Sequence, residues 1–136
     1  MSDSLAIVVS QYNQFVTSNL LKGCMDALKD CDYTILDPIF VPGAYEIPYG
    51  IKKSFSLKPK GVVALGCVVR GETPHFDFIC QSVSHFVMDL SLQFDIPVSF
   101  GLLTTINVDQ AIERSGGKKG NKGAEAAHAL LDLILL

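Results

Sequence analysis

Apolar residues fall in short bursts along this chain, and the bursts alternate between two spacings. Residues 5–9 (LAIVV) form a compact run rich in β-branched side chains, which reads as a buried strand. Residues 14–30 then place Phe15, Leu20, Leu21, Cys24, Met25 and Leu28 near a helical period, predicting an amphipathic helix that ends at the Asp30–Asp32 turn. Residues 33–41 read as a second strand with Pro38 weakening its centre. Residues 46–57 suit a helix, with Pro48 tolerated because it lies in the first turn.

After the break at Lys58-Pro59-Lys60-Gly61, residues 61–69 are apolar almost throughout, the signature of a strand covered on both faces. A long helix over 76–94, a fourth strand over 97–105 and a short helix over 108–114 follow. Residues 115–123 (SGGKKGNKG) read as a Gly/Lys-rich loop. Residues 124–136 predict a helix that is apolar almost all round and therefore buried between layers or subunits. Four alternations of strand and helix predict an α/β sandwich around a parallel sheet, as one domain over residues 1–136.

Composition narrows the function. The chain has 136 residues, 49% hydrophobic and 18% charged, against roughly 25% charged in a typical domain. That deficit points to surface covered by other subunits. Eleven Lys+Arg against 14 Asp+Glu leave a net charge of -3, with no basic surplus for a nucleic-acid backbone. The longest apolar run stops at Arg70, short of the about 20 residues that a membrane span requires. The start, Met-Ser-Asp-Ser, has no cationic region ahead of an apolar stretch, so the expectation is a cytoplasmic protein without a signal peptide. Cys24, Cys31, Cys67 and Cys80 include no Cys-x-x-Cys pair and, with three scattered histidines, no zinc spacing; free thiols are expected.

Ligands of open parallel sheets bind beyond the carboxyl ends of the strands. Four segments lie there: Ser10-Gln11-Tyr12-Asn13, Val41-Pro42-Gly43-Ala44-Tyr45-Glu46, Arg70-Gly71-Glu72-Thr73-Pro74-His75 and Phe100-Gly101. In the third, Gly71 permits close approach to a ligand, and Thr73 and Pro74 start a helix whose free N–H groups attract an anion. His75 can move protons near neutral pH, although a capped turn with an exposed histidine accounts for the same letters. His85 and His128 fall inside predicted helices, where structural roles are commoner. Arg70 and Arg114, the two arginines, suit forked pairing with a phosphate or an ordinary surface ion pair. Tyr12 and Tyr45 can stack on a flat heterocycle or simply pack. Glu46 can accept hydrogen bonds from a polyol or act as a helix N-terminal charge. The Gly116–Gly123 loop lacks Ser/Thr after Lys122 and follows a helix, which excludes a P-loop. The residues alone thus point to an oligomeric α/β domain that holds a phosphorylated or planar ligand at a strand edge.

The same segments resemble the lumazine synthase family. Val41-Pro42-Gly43-Ala44-Tyr45-Glu46-Ile47-Pro48 is similar to its Val-Pro-Gly-Ala-Phe-Glu-hydrophobic-Pro signature. Gly66 through Asp77 resembles its Arg-Gly-x-Thr-x-His block, and Pro97 to Gly101, Gln110-Ala111, Arg114 and Gly120 to Gly123 follow in order. The resemblance implies a three-layer α/β/α sandwich with a central four-stranded parallel sheet, flavodoxin-like. It also implies a cofactor-free condensation of a ribitylaminouracil with dihydroxybutanone phosphate to dimethyl-ribityllumazine, in riboflavin biosynthesis. The partners it implies are other copies of the chain, as a pentamer or as a shell of twelve pentamers, and a riboflavin synthase.

Residue by residue, Tyr12 matches the aromatic that stacks on the pyrimidine, and Ala44, Tyr45 and Glu46 match the segment around the ribityl chain. Cys67, Val68 and Val69 match backbone contacts to the heterocycle, Glu72 and Thr73 the phosphate cradle, and Arg114 the phosphate-binding arginine. His75 matches the proton donor, Phe100 a residue from the adjacent subunit, and Lys122 and Glu125 charged residues nearby. Two features depart from the pattern. Tyr12 and Tyr45 stand where Phe, or Trp at the first, is more usual, and only Met1 to Ser4 precede the first strand where many relatives carry an arm. An archaeal-type riboflavin synthase, a lumazine carrier and a purely assembling shell protein remain the competing readings.

Overall fold

The computed structural model describes residues 3–136. Its parallel sheet is built on β1 (Ser4–Ser10), β4 (Gly61–Val69) and β5 (Val98–Thr105), which run in the spatial order β1-β4-β5. The outer row beside β1 is made of two short pieces, β2 (Thr34–Ile35) and β3 (Ile39–Val41). The sheet therefore has four rows but five strands, and the single strand expected over 33–41 is corrected to two. Pro38 lies in the gap, where it has no N–H to give to the ladder. Leu36 still donates from its backbone to the Leu5 carbonyl at 3.0 Å, so the row bends without leaving β1.

Alternation along the strands explains the layers. Odd-numbered Leu5, Ile7, Val9, Val63, Leu65 and Cys67 face α1 (Gln14–Leu28) and α5 (Lys122–Ile134), where they meet Val16, Leu20, Cys24, Ala127 and Leu130. Even-numbered Ala6, Val8, Val62 and Ala64 face α2 (Ile47–Ser54) and α3 (His75–Phe94), against Ile47, Ile51, Val83 and Val87. Both faces of β1 and β4 are covered, so both strands read as unbroken apolar runs. This is the flavodoxin-like α/β/α sandwich.

Smaller differences from the sequence reading have local causes. The helix expected over 46–57 is a 3₁₀ turn (Ala44–Glu46), then α2, then a second 3₁₀ turn (Phe55–Leu57), with Pro48 in the first turn of α2. The Gly/Lys segment is not an open loop. After α4 (Val108–Glu113), β6 (Ser115–Gly117) pairs antiparallel with β7 (Gly120–Asn121). Gly116 and Gly120 take φ of 105° and 88°, values that side chains disfavour, which lets the chain reverse over Lys118-Lys119. The Asn121 side chain then accepts from the Ala124 N–H at 3.0 Å and starts α5.

Within one chain, helix α5 is covered on one side. It buries one stripe, Gly123, Ala126, Ala127 and Leu130, and leaves Glu125, His128 and Leu133 outside. A side chain at Gly123 would run into the Leu20 carbonyl, so this glycine sets how closely α1 and α5 cross. The helix with the uncovered apolar face is α3. Only Val83 and Val87 of it are buried, while Phe78, Phe86, Met88 and Leu92 face outward.

Candidate active site

The carboxyl ends of β1, β3 and β4 open into a cavity of about 630 Å³. Its walls include Tyr12, Ala44, Tyr45, Glu46, Cys67, Val68, Val69, Thr73 and His75. Nine of the expected site residues, from four separate segments, thus converge on one hollow. Its size suits a small organic molecule, and its lining is mostly apolar with a few polar groups, as ligand sites require.

Each segment is held by backbone geometry. Tyr12 follows β1, where Gln11 and Tyr12 donate from their backbone to the Val41 and Pro42 carbonyls at 2.9 and 3.0 Å. The Tyr12 and Tyr45 rings are mostly exposed, so their faces are open to a planar partner. Glu46 reaches back so that one carboxylate oxygen accepts from the Gly43 N–H at 2.9 Å. That bond supports the helix-start reading of Glu46, and a carboxylate retains further acceptor capacity for a hydroxyl. Cys67, Val68 and Val69 end β4, whose pairing with β5 continues to Val69 opposite Thr105. Burial pushes the Cys67 thiol up to about 11, so at neutral pH it stays protonated and is a poor nucleophile.

The loop between β4 and α3 carries Gly71, Glu72, Thr73 and Pro74, all exposed. Nothing lies within 4 Å of where a Gly71 side chain would begin, so this backbone is open to a ligand. The His75 N–H sits 3.4 Å from the Thr73 hydroxyl oxygen, at the start of a 20-residue helix. Glu72 shares the loop but does not line the cavity.

The remaining expected residues lie elsewhere, and Phe100 and Gly101, expected beyond a strand end, are corrected to the middle of β5, where they pair with Ala64 and Leu65. Phe100, Arg114 and Lys122 line a second hollow of about 640 Å³ together with Leu102, Thr104, Gln110, Lys119 and Glu125. It opens on the free edge of β5, beside α4 and the start of α5. The Arg114 guanidinium donates to the Gln110 carbonyl at 3.1 Å and lies 3.8 Å from a Glu113 carboxylate oxygen. The two hollows share no lining residue. Within one chain, the histidine and the arginine do not meet.

Sequence reasoning passed over Phe76 and Ile79 as lining residues, and Lys119 and Gln110 in the second hollow. Phe76 and Ile79 were detectable in principle, because they follow His75 by one residue and by one helical turn. Among the described residues, no cluster of three or more His, Cys, Asp or Glu could hold a metal ion, and no helix is long and apolar enough to cross a membrane.

A flavodoxin-like sandwich with a mostly apolar cavity at its strand ends and a histidine on the rim defines a protein built to hold a small organic molecule. Comparison with known proteins agrees. Residues 3–136 match the family model described as 6,7-dimethyl-8-ribityllumazine synthase. A 6,7-dimethyl-8-ribityllumazine synthase of Limosilactobacillus reuteri (strain DSM 20016) is 44% identical over 136 residues, covering 99% of this chain and 90% of the relative. The chain belongs to the 6,7-dimethyl-8-ribityllumazine synthase family, the transferases of riboflavin biosynthesis.

Proposed function

We propose that this protein condenses 5-amino-6-(D-ribitylamino)uracil with 3,4-dihydroxy-2-butanone 4-phosphate. The products are 6,7-dimethyl-8-ribityllumazine, inorganic phosphate and water. The observation that carries the reading is the convergence of Tyr12, Ala44–Glu46, Cys67–Val69, Thr73 and His75 on one cavity. Tyr12 stacks on the pyrimidine, and Ala44, Tyr45 and Glu46 hold the ribityl chain. The ends of β4 present backbone groups to the heterocycle. The backbone N–H groups of Glu72 and Thr73 receive the phosphate at the start of α3.

The free amine attacks the ketone carbon and, with loss of water, forms a Schiff base. Phosphate then leaves with the C–O electron pair, and the ribityl-bearing nitrogen closes the ring with loss of a second water. His75, at the rim, gives and takes the protons these steps need. Both reactants are reactive in water, so the protein contributes chiefly positioning and proton transfer.

Arg114 and Phe100 belong to the same site in this reading, which the two separate hollows support only if the second comes from a neighbouring copy. A neighbour's β5 edge would bring Phe100, Arg114 and Lys122 against the first cavity. The working form is then an oligomer, a pentamer or twelve pentamers in a shell, in the cytoplasm. The uncovered apolar face of α3 favours assembly.

An absorbance assay with both substrates tests the reaction. Saturable formation of the lumazine chromophore with phosphate release supports it. Consumption of lumazine alone, or binding without turnover, overturns it in favour of the riboflavin-forming enzyme or a carrier. Mixing tests the shared site. His75→Ala and Arg114→Ala subunits, unfolded together and reassembled at random, should recover roughly a quarter of the wild-type sites. No recovery would place both groups in one chain's site.

A further inference from the structure

The loop that presents Thr73 and His75 has little to hold it from within. Its residues 71–75 are exposed, and its one internal side-chain contact is the 3.4 Å approach of the His75 N–H to the Thr73 hydroxyl. It is instead closed from outside by Arg70. The Arg70 backbone N–H donates to the Thr105 carbonyl of β5 at 2.8 Å, which fixes the residue at the sheet end. Its side chain then turns back across the loop. One guanidinium nitrogen lies 2.9 Å from a carboxylate oxygen of Asp77, in the first turn of α3. The guanidinium carbon sits 4.7 Å from the centre of the Phe76 ring, which itself lines the cavity. An arginine can make both contacts at once because its flat fork pairs at the edge and stacks on the face.

Charge gives the same pairing a second effect. Asp77 is a carboxylate on the helix turn where a phosphate is to be received, and it repels an anion there. Arg70 offsets that charge while it closes the loop.

We infer that Arg70 is a positioning residue: its brace on Asp77 and Phe76 holds residues 71–76 in the shape that receives the phosphate end of the butanone substrate. The inference rests on the reaction proposed above. It separates Arg70 from a phosphate ligand, because the guanidinium is committed to α3 rather than to the cavity.

Three variants test it: Arg70→Ala, Arg70→Lys and the charge exchange Arg70→Asp with Asp77→Arg. Hydrogen exchange of the 71–76 amides is read alongside KM for each substrate. With an exposed ion pair and a ring contact at stake, Arg70→Ala should speed exchange in 71–76 and raise KM for butanone phosphate about three- to tenfold. KM for the ribitylaminouracil should change less than about twofold, since its contacts come from other loops. Arg70→Lys keeps the charge without the fork and should fall between. The exchanged pair should restore much of the slow exchange and of KM. A raised KM with unchanged exchange and no rescue by the exchanged pair would make Arg70 a direct phosphate ligand and overturn the brace. Unchanged KM and unchanged exchange in Arg70→Ala would overturn it equally. Wild-type protein that fails to turn over the substrate pair would instead refute the reaction, and the exchange data alone would then decide the brace.

Discussion

The Asn13 side-chain amide donates to the Cys67 carbonyl at 3.2 Å, tying the loop after β1 to the end of β4 across 54 residues of sequence. Asn13 also holds a left-handed backbone, with φ of 62° and ψ of 48°, which asparagine tolerates better than most residues. Tyr12, one residue earlier, is 73% exposed and has little packing to place its ring. Its position comes from the backbone that Asn13 anchors.

Asn13→Ala should therefore cost about 1–2 kcal/mol of stability, from the strained backbone and the lost hydrogen bond. Asn13→Gly keeps the backbone shape and should cost about half as much. Both should raise KM for the ribitylaminouracil more than KM for butanone phosphate. Thermal melting and initial rates check this, and equal costs for the two variants would remove the left-handed backbone as a cause.

Arg114→Ala and His75→Ala should differ in kind. Arg114→Ala should weaken use of butanone phosphate by about a hundredfold at low concentration, partly recovered at high concentration, because a forked charge on phosphate is lost. His75→Ala should lower kcat about tenfold at any concentration, because water can carry protons more slowly. Loss of assembly in His75→Ala would point instead to a structural histidine.

Burial raises the Cys24 thiol to about 12 and the Cys67 thiol to about 11, from an ordinary 9.0. A raised thiol keeps its proton longer in the folded chain than in the unfolded one. The resulting stability is whole below pH 9 and is lost as pH rises through the folded values. Denaturant melts from pH 8 to 11 should therefore show falling stability, with a shallower fall in Cys24→Ala. Alkylation of Cys67 should be slow at pH 7 and quicken about tenfold per unit up to its folded value.

The outward face of α3 gives a prediction on assembly. Leu92 is 73% exposed and Phe78 67%, on a helix whose fully buried residues are Val83 and Val87. Leu92→Lys should leave the folded chain intact by circular dichroism yet shift sedimentation to smaller species. Unchanged sedimentation would free this face from assembly.

Much of the fold was legible because burial on both faces leaves a mark in the letters. Residues 61–69 read as a central strand, and β4 occupies that span. Residues 14–30 read as a helix by their period, and α1 runs through Gln14–Leu28. The segments after β1, β3 and β4 were also legible as one edge, since parallel strands put their carboxyl ends together.

Other features were not. Pro38 announced a weak strand, but only pairing with β1 showed it to be two pieces. The Gly/Lys segment hid a hairpin, because its glycines permit both a loop and a turn. Apolar content marked the C-terminal helix for burial between layers or subunits, whereas within one chain α3 exposes the larger apolar face. Composition counts apolar residues; which of them meet a neighbour depends on how a helix is rotated against the sheet.

The sequence by itself determined the alternation of elements, the residue types gathered at the strand ends and the family. Tertiary structure alone decided that His75 and Arg114 lie in different hollows and that Arg70 reaches Asp77. The reason is physical. Period and burial are local properties that each segment carries in its own residues. The side of the sheet on which a strand-end group emerges, and what it meets there, follows from strand order and register, which no segment carries alone.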